Sequence, residues 1–82
     1  MPLKTLPVAL TIAGSDSGGG AGIPADLCTF AGLGVHGASV VCASTAQNPK
    51  AVVALEPVRP AMIRKQLEAV FGTFTPKAAK TG

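Results

Sequence analysis

The chain has 82 residues, of which 48% are hydrophobic and 13% are charged, a composition typical of a globular protein rather than of a disordered chain or a coiled coil. At this length it holds one domain at most. The net charge is +3, but the basic residues are not interleaved with aromatic ones, so we expect no nucleic-acid partner. No apolar run approaches the roughly 18 residues of a membrane span, so we expect no membrane partner either.

The two cysteines, Cys28 and Cys42, have no further Cys or His near them at the spacing of metal ligands. We therefore expect neither a metal site nor a disulfide framework. Two thiols that pack as small apolar groups are typical of a reducing compartment, so the sequence predicts a cytoplasmic protein with both cysteines buried.

The first three predicted elements form a βαβ unit. Residues 8–13 are an apolar run that ends at a glycine, which is typical of a strand buried on both faces of a parallel sheet. Apolar residues at helical spacing predict a helix over 24–33, with Pro24 in its first turn. A second apolar run predicts a parallel strand over 37–43.

Between residues 44 and 57 the pattern is looser. Asn48-Pro49 marks a turn, and residues 51–55 can form a short edge strand. A second helix is predicted, with Pro60 in its first turn and its C-terminal end at Gly72.

On that second helix, Arg64 and Glu68 have the spacing of an i,i+4 ion pair. The tail, residues 78–82, looks like the opening of a third parallel strand. Two helices cannot cover both faces of such a sheet well, so the sequence predicts the first part of a larger α/β domain.

The segment 14–22 has five glycines in nine positions and lies between a strand and a helix. Backbone N–H groups are unpaired at such strand ends, and glycine lets a polar ligand approach the main chain closely. A dinucleotide fingerprint from Gly18 would need glycine where Ile23 stands, and the Gly-Lys-Ser/Thr of a Walker A loop is absent. The alternative is a flexible turn that only links strand to helix.

Three side chains near this segment allow both a structural and a ligand-binding interpretation. Asp16 can brace the turn through its own backbone or orient a ligand. Asp26, at the third helical position if Pro24 is the first, can cap the helix or contact a ligand. Gln47 has an amide that can donate to and accept from an aminopyrimidine, or it can be a solvated loop amide.

Several separate signatures occur in one order along the chain. Together they resemble the hydroxymethylpyrimidine/phosphomethylpyrimidine kinase family of thiamine biosynthesis. The segments that carry the resemblance are Ala13-Gly-Ser-Asp-Ser-Gly-Gly-Gly-Ala-Gly-Ile23, Ala25-Asp26-Leu27, Thr29-Phe30, Gly34-Val35-His36-Gly37, Thr45-Ala46-Gln47-Asn48 and Lys80-Thr81-Gly82.

This resemblance implies a ribokinase-like, three-layer α/β/α fold with a mostly parallel sheet. It also implies ATP-dependent phosphorylation of 4-amino-5-hydroxymethyl-2-methylpyrimidine and of its monophosphate, with Mg²⁺ accompanying ATP. The expected substrate-binding residues are Gly14 and Thr45 at strand ends, Ala21 through its backbone, and Asp16, Asp26 and Gln47.

Members of the family are considerably longer, and their C-terminal portion carries the Gly-Thr-Gly anion hole, the catalytic base and most of the nucleotide site. The resemblance therefore implies that residues 1–82 are the N-terminal, substrate-side part of one kinase domain, without catalytic residues and inactive alone. Its partner would be a complementing C-terminal chain or a second copy. The alternative is a non-catalytic remnant that binds a small molecule or self-associates.

Overall fold

The computed structural model describes residues 6–82. Its elements are, in chain order, β1 (Val8–Gly14), α1 (Gly22–Gly32), β2 (His36–Asn48), β3 (Ala51–Pro57), α2 (Pro60–Phe71) and β4 (Ala78–Thr81). The four strands form one sheet in the order β3-β2-β1-β4. β1 pairs in parallel with β2 and with β4, whereas β2 and β3 are antiparallel. The predicted βαβ unit and mostly parallel α/β sheet are confirmed.

The two helices lie on opposite faces of this sheet. Thr11 on β1 donates a hydrogen bond to Asp26 of α1. Its neighbour Leu10 points to the other face, because successive strand side chains alternate. On that face the buried residues Leu10, Ala38 and Val40 pack against Ile63, Leu67 and Val70 of α2. The arrangement is the predicted helix–sheet–helix layering, with one helix for each face.

The order of the strands predicts a ligand-binding position at the carboxyl end of β1. From β1 the chain crosses over α1 to β2 on one side, and it later crosses over α2 to β4 on the other side of β1. In open α/β sheets, ligands bind outside the carboxyl ends of the strands where the winding reverses. The loop that follows β1, residues 15–21, lies at this edge.

Helix α1 begins at Gly22, two residues before the predicted start at Pro24. Gly22 has φ +60°, and a Cβ there would collide with the carbonyl oxygen of Gly14, so only glycine allows the helix to start so close to β1. Asp26 is consequently the fifth helical residue and not the third. It does not cap the helix, whose N-cap residue, Ala21, makes no side-chain capping bond.

Strand β2 extends five residues beyond its predicted end at Ala43, to Asn48. From Ala43 onward it pairs with β3, and the Asn48 side chain accepts the N–H groups of Lys50 and Ala51 to close the hairpin turn at the predicted place. The predicted edge strand over residues 51–55 is confirmed as part of β3, which is exposed throughout. Residues 44–48 of β2 alternate between exposed and partly buried positions, so this half of the strand has no continuous apolar run from which it could be predicted.

The prediction that both cysteines are buried is wrong. Cys28 is exposed and Cys42 is partly buried. Cys28 follows Ile23, the buried residue of α1, by five positions, which places the two side chains about 140° apart around the helix. The thiol of Cys28 therefore points away from the sheet.

Helix α2 has the predicted position, but its ion pair differs. Glu68 lies 3.5 Å from Lys65, at i,i+3, and the predicted pair with Arg64 is not formed. Side chains three or four residues apart are neighbours on a helix surface, and the exposed Glu68 pairs with the residue three positions before it. Gln66 attaches α2 to the sheet, because its amide oxygen accepts the N–H of Val41 at 2.8 Å and its amide nitrogen donates to the Val41 carbonyl at 2.9 Å. Within residues 6–82 no helix is long and apolar enough to cross a membrane.

Candidate functional site

The loop after β1 is shaped by a single carboxylate. Asp16, only 8% exposed, accepts the backbone N–H groups of Gly18 at 2.8 Å, Gly20 at 3.0 Å and Ala21 at 2.8 Å. Both carboxylate oxygens are used. The bracing role considered for Asp16 is therefore present, and these three N–H groups point to Asp16 instead of being open to an anion.

Two serines fasten this loop to strand β2. The Ser15 hydroxyl accepts the N–H of Thr45 at 2.9 Å, and the Thr45 hydroxyl donates to the Ser15 carbonyl. The Ser17 hydroxyl accepts the N–H of Gln47 at 2.6 Å and donates to the Gln47 carbonyl at 2.5 Å. The pairing of β1 with β2 thus continues past the end of β1, through side chains.

A pocket of about 280 Å³ opens between the braced loop and the β2–β3 hairpin. Its volume is just below the range of about 300 to 1,000 Å³ typical of small-molecule sites. The lining residues are Asp16, Gly18, Gly20, Ala21, Gln47, Asn48 and Pro49. Among residues 6–82 no Lys or Arg lines this pocket, so these residues suit a small neutral group better than a phosphate.

Asp26 lies apart from that pocket. Its carboxylate accepts the hydroxyl of the fully buried Thr11 at 2.6 Å, and the Lys80 ammonium lies 3.0 Å from each of its oxygens. The Thr11 hydrogen bond first, and then the Lys80 ammonium, lower the pKa of the Asp26 carboxyl below its ordinary value of 3.8. The cluster joins β1, α1 and β4.

The structure brings together five of the six predicted site residues. Asp16, Ala21 and Gln47 line the pocket. Gly14 ends β1 beside Thr45, whose hydrogen bonds hold the loop to β2. Asp26 instead belongs to the ion pair with Lys80.

Sequence reasoning missed Ser15 and Ser17. The available signal was their spacing, because residues two apart after a strand face the same way, and Thr45 and Gln47 have the same spacing on β2. His36, for which the sequence predicts no role, stacks on Phe74 with ring centroids 5.3 Å apart.

Comparison with known proteins finds relatives that match nearly the whole chain. The family model for phosphomethylpyrimidine kinase matches residues 16–82. The hydroxymethylpyrimidine/phosphomethylpyrimidine kinase of Rhizobium meliloti is 57% identical over 75 residues, which are 92% of this chain and 28% of that protein. The kinase of the same description from Synechococcus elongatus is 53% identical over 77 residues, 94% of this chain and 29% of its own length. The chain thus spans less than a third of these relatives.

Solved structures show the same partial match. Phosphomethylpyrimidine kinase from Clostridium difficile superposes with a TM-score of 0.88 at 56% identity, over 92% of this chain and 35% of the other. Pyridoxal kinase from Staphylococcus aureus, in complex with AMP-PCP and pyridoxal, gives 0.83 at 37% identity, over 94% and 29%. The ribokinase-like fold is confirmed for the N-terminal part of such a domain.

Proposed function

Because the chain belongs to the phosphomethylpyrimidine kinase family, we propose that it is the N-terminal, substrate-side part of a single ribokinase-like kinase domain. The whole domain phosphorylates 4-amino-5-hydroxymethyl-2-methylpyrimidine and its monophosphate in thiamine biosynthesis. The observation that carries this proposal is the pocket between the Asp16-braced loop and Gln47.

Gln47 is the group in this pocket that suits an aminopyrimidine. Its backbone is held by Ser17, and no hydrogen bond to residues 6–82 uses its side-chain amide. A primary amide donates and accepts at once, which matches an amino group beside a ring nitrogen. Ala21 and the glycines supply a backbone surface that a flat ring can approach without meeting side chains.

ATP is the proposed phosphoryl donor. Pyridoxal kinase from Staphylococcus aureus, a structural relative, was crystallised with AMP-PCP and with ADP. The part of the chain that the structure describes does not fit a Mg²⁺ site, because it holds no group of His, Cys, Asp and Glu that could bind a metal ion, and the oxygens of Asp16 and Asp26 already have partners. The role of this chain is therefore to bind and orient the pyrimidine, in a cytoplasmic enzyme whose other residues hold the nucleotide.

A second candidate is a non-catalytic remnant that binds a small molecule or self-associates. The observation in its favour is exposure. β3 and β4 are the two edges of the sheet and are exposed throughout, and Leu33 and Val53 are 74% and 72% exposed. In the first candidate, a complementing C-terminal segment or a second copy covers these surfaces.

A chimeric kinase separates the two candidates. Residues 1–82 replace the matching segment of the Rhizobium meliloti kinase, and the unaltered parent is the positive control. We expect ADP release that depends on the pyrimidine. A chimera that unfolds in one cooperative transition, yet shows no turnover where its parent does, would refute the kinase proposal. Self-association of the isolated chain without pyrimidine binding would then support the remnant.

A further inference from the structure

The Ser17 hydroxyl forms hydrogen bonds with both backbone groups of Gln47, as the backbone of a neighbouring strand would. It accepts the Gln47 N–H at 2.6 Å and donates to the Gln47 carbonyl at 2.5 Å, so one side chain occupies both backbone groups of a residue thirty positions away. Ser17 is itself exposed at the surface of the loop, so these bonds, and not burial, hold it in place.

The next residue, Gly18, lies close to the backbone of the hairpin. A Cβ on Gly18 would lie 3.1 Å from the Asn48 Cα and 3.3 Å from the Gln47 carbonyl oxygen. The loop and the hairpin are therefore in close backbone contact at residues 17–18. Because Asp16 braces the loop from the other side, the position of Ser17 is fixed relative to the pocket.

On its other side, Gln47 is held less firmly by β3. The register of β2 with β3 shifts between Ala46 and Gln47, and such an irregularity interrupts the ladder locally and re-aims nearby side chains. Every residue of β3 is exposed, so side-chain packing from that strand does not fix the hairpin either. The direction of the Gln47 side chain then depends on what holds its backbone on the side of the loop.

We propose that Ser17 is a positioning residue for pyrimidine recognition, acting through Gln47. Its hydroxyl fixes the backbone of Gln47 so that the side-chain amide faces the pocket beside Ala21. This inference rests on the proposed function. It assigns to Ser17 no contact with the pyrimidine or with the reacting atoms.

The test is a double-mutant cycle in the chimeric kinase, with the pyrimidine KM, the ATP KM and kcat measured for each variant. Gln47→Ala should raise the pyrimidine KM about tenfold, and Ser17→Ala about three- to tenfold, the size expected for a lost hydrogen bond. The amide binds ground state and transition state alike, so kcat and the ATP KM should hardly change. If Ser17 acts through Gln47, the double variant should resemble Gln47→Ala alone.

Three further variants make the result specific. Ser17→Thr keeps the hydroxyl and should restore the low pyrimidine KM. Ser17→Cys is nearly isosteric but has only a weakly hydrogen-bonding thiol, so it should raise the KM even if Ser17→Ala fails to fold. Ser44→Ala, which removes an exposed serine of the same hairpin, is the matched control and should change nothing.

The outcomes of the two proposals differ. A wild-type chimera without turnover contradicts the proposed function. An active chimera in which Ser17→Cys leaves the pyrimidine KM unchanged, or in which the effects of Ser17→Ala and Gln47→Ala simply multiply, overturns the role of Ser17.

Discussion

At the level of single residues, the two carboxylates near the loop bind the protein itself. Asp16 accepts three backbone N–H groups, and Asp26 accepts the Thr11 hydroxyl and the Lys80 ammonium. These hydrogen bonds brace the loop at Asp16 and join α1 to β1 and β4 at Asp26. We therefore propose that neutral groups, chiefly the Gln47 amide, contact the pyrimidine.

Replacing Asp16 tests this division of roles. Asn in its place presents an amide NH2 donor where the loop needs an acceptor, so Asp16→Asn should destabilise the chimeric kinase by about 1.5 to 3 kcal/mol, as expected for hydrogen bonds to a charged group. The pyrimidine KM should rise with it, because the loop forms one wall of the pocket. Thermal unfolding and steady-state kinetics measure both effects. Glu56→Gln, at an exposed position, is the control, and an Asp16→Asn protein equal to it would contradict the bracing role.

The Asp26 cluster predicts a dependence of stability on pH. The folded-state pKa of Asp26 is lowered, so its ionised form adds stability that is fully present above the ordinary value of 3.8 and is lost as pH falls through the folded-state pKa. The Tm difference between wild type and Asp26→Asn should therefore be widest at pH 5 to 7 and shrink towards pH 3 and below. Melting curves of both chimeras across this range measure the difference. A gap independent of pH would mean that the Asp26 charge contributes nothing.

At the level of the elements, both helices and all four strands were predicted, including the exposed strands β3 and β4, whereas the length of β2 was not. β1, the first part of β2 and α2 have apolar patterns imposed by the core, and they appear close to where the sequence predicts them. The second half of β2 is held by backbone pairing to β3 and by serine hydroxyls, neither of which requires an apolar residue. The resemblance predicts Gln47 as a site residue, whereas its place on β2 and its hydrogen bonds to Ser17 are seen only in the structure.

The junction between β1 and α1 depends on Gly22. Its φ of +60° costs an L-residue about 1 to 2 kcal/mol, and a Cβ there would also collide with the Gly14 carbonyl. Gly34→Ala is the matched control, because Gly34 has φ +72° and an added Cβ there would have no atom of residues 6–82 within 4 Å. Gly22→Ala should therefore lower the stability of the chimera clearly more than Gly34→Ala, and it alone should raise the pyrimidine KM. Denaturant unfolding and kinetics compare the two; equal losses would show that the collision relaxes without cost.

At the scale of the whole molecule, the described chain is a sheet with both edges open. Its fully or nearly buried apolar residues are few, namely Ala9, Leu10, Ala13, Ile23, Ala38 and Val40. Large apolar side chains such as Met62 and Phe71 are more than half exposed. Such surfaces are typical of a segment that packs against further structure.

We predict that residues 1–82 alone show no kinase turnover. Among the described residues no Lys or Arg lines the pocket, the N–H groups of Gly18, Gly20 and Ala21 are bound to Asp16, and no group could hold a metal ion. The described part of the pocket therefore offers no group that would stabilise charge on a transferring phosphoryl group. Removing a single preorganised donor typically costs about 100- to 1,000-fold in rate, and here the whole phosphate site would be absent. A coupled ADP-release assay with the purified chain and the pyrimidine should read at the no-enzyme rate, while the chimera assayed in parallel turns over. Pyrimidine-dependent ADP release by the chain alone would mean that phosphoryl transfer needs only groups within these residues.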